Sequence, residues 1–368
     1  MKRLLLIGAG HAHALVLDAW RHLVANDPLL ADVELVLVAP VTHAPYSGMI
    51  PGWLAGKYRF DETVVDFTAL CKRARAKLIC AELAELDPDT STVWLSDGQR
   101  LSYDWISLNV GSTLQPPASQ THMLAMRPLS TLKSRYEDWL AHWRSVADTR
   151  PLRLAAVGGG AAGIESLLCI KHRLRSLRPD IPIQAQLLTR GTSILPGFSS
   201  QARRLALAAL KRAGVTIELG TAWRETIAQS SDLVIWATGA QPHAWQTDES
   251  SRGTLQTDRA GFILVDQTLQ SLSHSNVFAV GDCAALPTAV PKAGVYAVRM
   301  GSTLTSNLRA AILDKPMSPF KRTGAALALL NTADGNAIAS WGPLGWQGRW
   351  VMRWKDRIDR RFISRLAC

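Results

Sequence analysis

The sequence predicts an α/β protein with two Rossmann-like dinucleotide-binding domains, one inserted into the other, and a small C-terminal cap. Two glycine turns, at residues 8–13 and 158–163, carry this prediction, because each joins a strand-like apolar run to a helix-like stretch. The third observation is the pair Gly281-Asp282, which also follows an apolar run. Doubly wound parallel sheets carry such turns, so the chain is expected to hold two dinucleotides.

Composition narrows the class of protein. A chain of 368 residues exceeds one ordinary core, and its hydrophobic fraction of 47% is typical of a globular protein. No apolar run approaches the roughly 20 residues that span a bilayer. The apolar start leads directly into the first glycine turn, as a buried strand does and a signal peptide does not. Without a secretion signal, we expect reduced thiols and a cytoplasmic location. The cysteines form no C-x-x-C pair, so neither a zinc ribbon nor a thioredoxin-like site is expected.

Apolar periodicity and turn residues order the elements. Strands are expected at 33–38, 103–109, 151–157, 183–188 and 233–237, helices at 12–24, 129–146, 164–177, 200–213 and 294–311, a hairpin near Asp97-Gly98 and a linker at 115–120. The predicted domains are residues 1–120 (first part of an FAD domain), 121–254 (NAD(P) domain), 255–318 (second part of the FAD domain) and 319–368 (cap).

The turn at 158–163 matches G-x-G-x-x-G in full. Gly158 allows the tight turn, Gly160 lets the backbone approach a pyrophosphate, and Gly163 lets the next helix pack on the strand. Where an acid usually binds the ribose, the sequence has Thr189-Arg190. Arg190 either accommodates a 2′-phosphate, which favours NADPH over NADH, or is a solvated surface residue.

The turn at 8–13 departs from this pattern because His13 replaces the third glycine, although Gly8 and Gly10 are retained. A histidine there either displaces the helix from the strand or points towards the ligand. Two alternatives therefore stay open for His11 and His13, namely contact with a flavin or local packing and hydrogen bonding. A metal site is not expected, because no third ligand is in register with them.

Support for FAD at the first turn comes from later in the chain. Asp282, after Gly281, can accept a hydrogen bond from a ribityl hydroxyl. Lys292 and Ala293 begin the next predicted helix, whose positive dipole end can face the flavin ring.

These motifs resemble the pyridine nucleotide-disulfide oxidoreductases, the superfamily of flavoproteins that bind two dinucleotides. The resemblance is closest to a branch that occurs fused to selenophosphate synthetase and is related to type II NADH dehydrogenases. The segments that carry it are 8–13, 42–52, 158–165, 236–240, 278–284, 292–295 and 348–356.

The resemblance implies FAD and NAD(P)H as cofactors. It assigns FAD contacts to Gly8, Gly10 and Asp282, the isoalloxazine neighbourhood to Pro45 and Tyr46, and the nicotinamide nucleotide to Gly158, Gly160, Gly163, Glu165 and Gly239. The expected catalytic residues are Glu165, Tyr46 and Lys292.

The resulting prediction is an FAD-dependent oxidoreductase that takes hydride from NAD(P)H and reduces a quinone-like or unidentified acceptor. Residues 45–52 hold no cysteine, so a dithiol relay is not expected there. Cys169 and Cys283 are the only candidates for sulfide oxidation, and their apolar surroundings favour buried structural cysteines. The alternative is a flavin-bearing partner or scaffold protein in selenium metabolism, linked to selenophosphate synthetase and without NAD(P)H turnover of its own.

The C-terminal tail is basic and rich in tryptophan, within a chain of formal net charge +11. An apolar stripe recurs every four residues of a predicted amphipathic helix, at Trp350, Trp354, Ile358, Phe362 and Leu366. Either this helix docks peripherally on the inner face of an anionic membrane, which suits a quinone acceptor, or it packs on the first domain or a second subunit. Without a recognition motif, nucleic acid is not an expected partner.

Overall fold

Two parallel five-stranded sheets and one small antiparallel sheet organise the chain. The computed structural model describes residues 2–114, 116–117, 122–145, 149–321, 324 and 326–367, so the predicted linker at 115–120 lies largely outside the described residues.

The first part of the chain contains β1 (Lys2–Ile7), α1 (His11–Asn26), β2 (Val33–Val38), β3 (His43–Pro45), α2 (Ile50–Leu54), β4 (Val64–Asp66), α3 (Phe67–Ala74), β5 (Lys77–Ile79), β6 (Leu83–Asp87), β7 (Thr92–Leu95), β8 (Arg100–Ser102) and β9 (Trp105–Leu108). The second part contains β10 (Met123–Ala125), α4 (Leu129–Ser145), β11 (Leu152–Val157), α5 (Ala161–Leu177), β12 (Ile183–Leu188), α6 (Ser200–Arg212), β13 (Val215–Glu218), α7 (Glu225–Gln229), β14 (Leu233–Trp236), α8 (Ala244–Thr247) and α9 (Glu249–Arg252). The remainder contains β15 (Ile263–Leu264), β16 (Val277–Ala279), β17 (Ala284–Ala285), α10 (Gly294–Ile312), β18 (Ala328–Asn331), β19 (Ala337–Trp341), β20 (Leu344–Gly348) and α11 (Arg349–Leu366).

The first sheet has the strand order β16-β9-β1-β2-β5, with every pair parallel. Residues 4–7 of β1 form an unbroken, buried apolar run because both faces of this sheet are covered. Leu4 and Leu6 pack towards α1, α3 and α10, whereas Leu5 and Ile7 pack towards β6, β7 and β15. Because β16 comes late in the sequence, the chain returns to this sheet after building the second one. We call this sheet with its helices the first unit.

The second unit is built on the sheet β10-β14-β11-β12-β13, again with parallel pairs. Its core surrounds α5 and α6 and includes Ile164, Leu167 and Ala206. The two units cross where Thr113 and Gln241 exchange backbone hydrogen bonds of 2.8 and 2.9 Å. The class of fold is the predicted one, and the four-segment division of the chain stays a prediction.

The cap is the antiparallel sheet β18-β19-β20 followed by α11. Val351 and Met352 of α11 pack on the cap sheet, while Leu366 packs in the core of the first unit. The Ser199 amide, at the start of α6, donates to Ser340 Oγ of β19 at 3.1 Å. The cap therefore contacts both units.

Most element limits agree with the sequence-based expectation. Strands β2 and β12 have the predicted limits, and the hairpin near Asp97-Gly98 is β7-β8. The predicted helix at 164–177 begins three residues earlier, at Ala161, because Gly160 of the glycine turn is itself the N-cap residue.

Candidate functional site

The two glycine turns share one backbone geometry. Gly8 has a φ of +98° and Gly158 has a φ of +126°. Residues with a side chain rarely adopt these backbone angles. A Cβ on Gly8 would lie 2.5 Å from the carbonyl oxygen of Asn109, and a Cβ on Gly158 would overlap that of Ala237. Asn109 and Ala237 follow the equivalent strands β9 and β14, so the turns are a structural repeat.

The second turn leaves space for a pyrophosphate. Gly160 is the N-cap of α5, and no side chain caps it. A Cβ on Gly160 or on Gly239 would meet no atom within 4 Å, whereas a Cβ on Gly163 would overlap the Gly158 carbonyl oxygen. Gly163 thus serves the packing of helix on turn, and Gly160 faces open space at a helix N-terminus, which is the geometry that binds phosphates.

An acid that the sequence interpretation did not consider lies beside the segment expected to meet the ribose, because the Thr189 amide donates to the Glu218 carbonyl oxygen at 3.0 Å. Arg190 is exposed beyond the end of β12. Glu218 at the end of β13 pairs with Leu188, immediately before Thr189. The signal was an acid at the end of the strand after the expected one. Because an acid stands beside the segment that holds Arg190, the preference for NADPH stays a prediction.

His13 of the first turn is hydrogen-bonded within the protein through both of its ring nitrogens. Its side chain is fully buried, with Nδ1 2.7 Å from the Gly8 carbonyl oxygen and Nε2 2.9 Å from Ser107 Oγ. Burial lowers the pKa of His13 to about 4, and the bond with Gly8 opposes this only in part. The structure therefore favours the packing alternative for His13, which neither points towards a ligand nor leaves a ring nitrogen unused.

Asn109 is a second residue that sequence reasoning missed. Its Oδ1 accepts from the Ala12 amide at 3.2 Å, and its Nδ2 donates to the Val280 carbonyl oxygen at 3.0 Å. A Cβ on Gly10 would overlap this side chain, so Asn109 explains why Gly10 must be glycine. The available signal was a polar residue directly after the buried strand β9.

His11 and Tyr46 lie together on the expected flavin side. Their ring centroids are 5.3 Å apart, and the Ser47 amide donates to His11 Nε2 at 3.4 Å. Burial lowers the pKa of His11 to about 4, although the nearby Asp282 carboxylate acts in the opposite direction. Tyr46 stacks on Phe362 of α11 at 4.5 Å, so the C-terminal helix adds an aromatic residue that the sequence did not assign to the site.

Neighbouring segments complete this side. Pro45 ends β3 and pairs with Val64 of β4, which fixes the chain just before Tyr46. Ala293 is the N-cap of α10, and a Cβ on Gly294 would overlap Ser47 Oγ, so the N-terminus of α10 abuts this segment.

Asp282 and Lys292 make contacts that the sequence did not predict. Asp282 follows Gly281, whose φ is +71°, and its Oδ2 lies 2.7 Å from the guanidinium of Arg127. Lys292 Nζ donates to the Ala284 carbonyl oxygen at 2.5 Å and lies 3.9 Å from the ring centroid of Phe262. The Lys292 ammonium is engaged by these groups, so its contacts add no support for its predicted catalytic role.

Glu165 occupies the interface between the second unit and the cap. Its Oε1 accepts from the Asn331 amide of β18 at 2.6 Å. Burial raises the pKa of Glu165 to about 7, while the Lys355 ammonium and the Asn331 bond act against that rise. A carboxyl group with this pKa can hold or release a proton at neutral pH.

Helix α11 supplies the groups between Glu165 and Tyr46. Lys355 Nζ lies 2.7 Å from Asp359 Oδ2 and donates to the Gly48 carbonyl oxygen at 2.5 Å. Burial raises the pKa of Tyr46, and the Asp359 carboxylate raises it further by its charge and by accepting from the hydroxyl. The Lys355 ammonium acts on Glu165 through its charge, and Asp359 is hydrogen-bonded to both Lys355 and Tyr46. We call these four residues the polar chain, which extends from the second unit through the cap to the first.

The predicted tail stripe is divided. Leu366 is 1% exposed and Phe362 packs on Tyr46, whereas Trp350 is 51% and Ile358 is 38% exposed. A residue every four positions advances about 40° around a helix, so the stripe turns through roughly 160° over its length. The C-terminal end of α11 therefore packs on the first unit, as one of the two alternatives predicts. Among the described residues, no helix has the length and apolar character to cross a membrane.

The two cysteines considered for sulfide oxidation are buried thiols. Cys169 and Cys283 are both fully buried. Burial raises the pKa of Cys283 to about 11 and that of Cys169 well above its ordinary value. Because the thiolate is the reactive form, these positions do not support a sulfide-oxidising pair.

Comparisons with known proteins agree with this geometry. An alternative NAD(P)H-ubiquinone oxidoreductase C1 of Arabidopsis thaliana is 25% identical over 326 residues, which cover 80% of this chain and 63% of that protein. A type II NADH:quinone oxidoreductase of Haemophilus influenzae is 28% identical over 234 residues, covering 56% of this chain and 52% of that protein. The chain thus spans between about half and two thirds of the length of these curated relatives.

The sulfide:quinone oxidoreductase of Aquifex aeolicus has the same fold, with a TM-score of 0.79 at 15% identity, over 100% of this chain and 91% of that one. The names of the Arabidopsis thaliana and Haemophilus influenzae relatives do not mention selenium, so the link to selenophosphate synthetase stays a prediction. The family model described as pyridine nucleotide-disulphide oxidoreductase matches residues 2–301 and supports FAD and NAD(P)H as cofactors. With its two glycine turns and its two parallel sheets, the chain belongs to the pyridine nucleotide-disulphide oxidoreductase family.

Proposed function

We propose that this chain is an FAD-dependent oxidoreductase that takes hydride from NAD(P)H and passes the electrons to a quinone. The observation that carries the proposal is the polar chain, whose buried groups extend from Glu165 on α5, the helix of the second glycine turn, to Tyr46 on the expected flavin side. The two named relatives, which are quinone oxidoreductases, support the choice of acceptor.

On the nicotinamide side, the proposed role of the protein is to bind and orient NAD(P)H. The turn at Gly158 and Gly160 would hold the pyrophosphate at the N-terminus of α5. Glu165 follows Gly160 by little more than one helical turn, so the same helix that binds the phosphates carries a proton-exchanging group. A Cβ at Gly239 would meet no atom within 4 Å, which leaves space for the nucleotide beside the second unit.

On the flavin side, the turn at Gly8 and Gly10 would hold the FAD pyrophosphate and Asp282 a ribityl hydroxyl. Tyr46, with Phe362 stacked on it, forms an aromatic surface near His11. Bound FAD would supply the chemistry of hydride acceptance and electron delivery, while the protein supplies orientation and electrostatics.

Quinone reduction needs protons as well as electrons. The overall reaction converts NAD(P)H, one proton and a quinone into NAD(P)⁺ and a quinol. Glu165, with a pKa of about 7, is suited to exchange protons near neutral pH, and Lys355 lies within its electrostatic reach. We propose that the polar chain holds and moves the protons that the quinone takes up.

We also propose that the cap brings the protein to a membrane surface. Large apolar side chains are exposed at Trp341, Leu344, Trp350 and Ile358, all within the cap, and Trp354 stacks on Trp350. Helix α11 also carries six arginines, at positions 349, 353, 357, 360, 361 and 365. Exposed aromatic and cationic groups on one element are typical of peripheral docking on anionic lipid, which would place the protein on the cytoplasmic face.

The acceptor can be tested separately from the donor. The protein is reduced anaerobically with one equivalent of NADH, and a short-chain ubiquinone analogue is then added while flavin absorbance is recorded. We expect the oxidised spectrum to return, and to return more slowly in Glu165→Gln. Recovery with ferricyanide but not with quinone would contradict the quinone assignment.

A further inference from the structure

Arg127 connects the second unit to the expected FAD site. It follows strand β10, and the Met126 amide beside it donates to the Trp236 carbonyl oxygen of β14 at 3.0 Å. Its own guanidinium nevertheless reaches three residues that belong to the first unit. These residues are Ser112, Asp282 and Lys292.

Both terminal nitrogens of the Arg127 guanidinium make contacts, and one of them pairs with the Asp282 carboxylate. One guanidinium nitrogen, Nη1, lies 2.7 Å from Asp282 Oδ2 and also donates to Ser112 Oγ. The other, Nη2, donates to the Lys292 carbonyl oxygen at 3.1 Å. Ser112 Oγ donates in turn to the same Oδ2 at 3.3 Å. An arginine that makes several directed bonds fixes orientation in a way that lysine cannot.

This arrangement leaves one side of Asp282 for a ligand. All hydrogen bonds and ion pairs of the Asp282 carboxylate within the described part of the chain go to Oδ2. Oδ1 therefore keeps its capacity to accept. Asp282 is also the residue whose sequence position indicates a contact with the ribityl chain.

We propose that Arg127 is a positioning residue of the FAD site, which orients Asp282 from the opposite unit so that Oδ1 accepts a ribityl hydroxyl. This inference rests on the proposed use of FAD and adds a residue to that site. Its consequence is a coupling between FAD binding and the seating of the second unit. At the same crossing, Thr113 and Gln241 exchange backbone hydrogen bonds, and His243 Nε2 lies 3.0 Å from the Val110 carbonyl oxygen.

The test is the dissociation constant of FAD, measured by adding FAD to flavin-free protein. We expect Arg127→Ala to weaken FAD about 10- to 100-fold, the range for losing a charge-assisted hydrogen bond. Arg127→Lys should recover only part of this loss, because it keeps the charge and loses the forked guanidinium. Arg150→Ala is the matched control, since Arg150 forms a two-point pair with Asp232 inside the second unit and should leave FAD affinity unchanged.

A double-mutant cycle separates positioning from general damage. If Arg127 acts through Asp282, the variant with both Arg127→Ala and Asp282→Ala should bind FAD no more weakly than Asp282→Ala alone. Losses that multiply would overturn the proposal, as would unchanged or tighter binding in Arg127→Ala. If Arg127→Ala fails to fold, as judged by urea unfolding of the flavin-free protein, Arg127→Lys decides, and wild-type affinity in that variant overturns the proposal. Wild-type protein that takes up no FAD would instead contradict the proposed function itself.

Discussion

The ammonium of Lys355 lies 2.7 Å from the carboxylate of Asp359, and each of these residues is only 5% exposed. They are four residues apart on α11, so both face inward from the same side of the helix. The sequence-based interpretation counted both among the charges of a basic tail. Their burial instead makes α11 a structural part of the site, between Gly48 of the first unit and Glu165 of the second.

We predict that Lys355→Met destabilises the protein by about 3–5 kcal/mol, because it leaves the Asp359 carboxylate buried without its partner. The measurement is the free energy of unfolding in urea at pH 7. The control is the double variant Lys355→Met/Asp359→Leu, which removes both charges and should recover most of the loss. Equal losses in the single and double variants would show that packing, rather than the ion pair, sets the stability.

Glu165 should make stability depend on pH. Because burial raises its pKa to about 7, the native state keeps a proton that the unfolded chain releases near its ordinary value. The contribution of Glu165 to the free energy of unfolding is therefore fully present below about pH 4.5 and is lost as the pH rises through 7. We expect the free energy of unfolding of Glu165→Gln, relative to that of the wild type, to rise by about 1–3 kcal/mol from pH 5 to pH 8. A difference between the two proteins that is the same at both pH values would contradict the raised pKa.

The glycines of the second turn should separate binding from folding. At Gly160 a Cβ meets no protein atom within 4 Å, so Gly160→Ala should leave the unfolding temperature unchanged and weaken NAD(P)H by about tenfold or more. The physical reason is that the methyl group would occupy the space of the pyrophosphate. Titration with NADH and a thermal melt give the two values. Gly163→Val is the contrasting variant, since its side chain would overlap the Gly158 carbonyl oxygen and should lower the unfolding temperature as well. Unchanged nucleotide affinity in Gly160→Ala would place the nucleotide elsewhere.

The exposed end of α11 should govern any membrane binding. Deleting the helix is a poor test, because Val351 and Leu366 are buried. We predict that Trp350→Ser/Trp354→Ser weakens sedimentation with anionic vesicles at low salt by at least about tenfold, given the free energy of burying two large apolar side chains. Leu272→Ser, which alters an exposed apolar residue outside the cap, should behave as the wild type. Wild-type protein that stays in the supernatant would rule out docking.

Local backbone chemistry explains what the sequence could predict. Gly8 and Gly158 need positive φ, and a continuous apolar run marks the strand before each of them, so both turns could be assigned from short segments. The fold class followed from those turns. Arg127 and Asp282 carry no such local signal, because they are separated widely in sequence and meet only when the two units are assembled.

The face that α11 buries could not be predicted for a different reason. Its apolar residues suggested a stripe through Trp350 and Ile358, yet the buried side contains Lys355 and Asp359. A pattern of hydrophobicity assigns charged residues to solvent, and only the pairing of the two charges makes their burial tolerable. Phe362, by contrast, belongs to the predicted stripe, and Tyr46 to the expected flavin neighbourhood, but nothing in the sequence indicates that their two rings stack.

The central claim, that NAD(P)H reduces a flavin held by this chain, is tested most directly by anaerobic mixing of the FAD-loaded protein with NADH and, separately, with NADPH while flavin absorbance is recorded. We expect the absorbance to be lost with at least one of the two nucleotides. We also expect Arg190→Ala to weaken NADPH more than NADH if Arg190 meets a 2′-phosphate. A flavin that keeps its oxidised spectrum with both nucleotides would contradict the account.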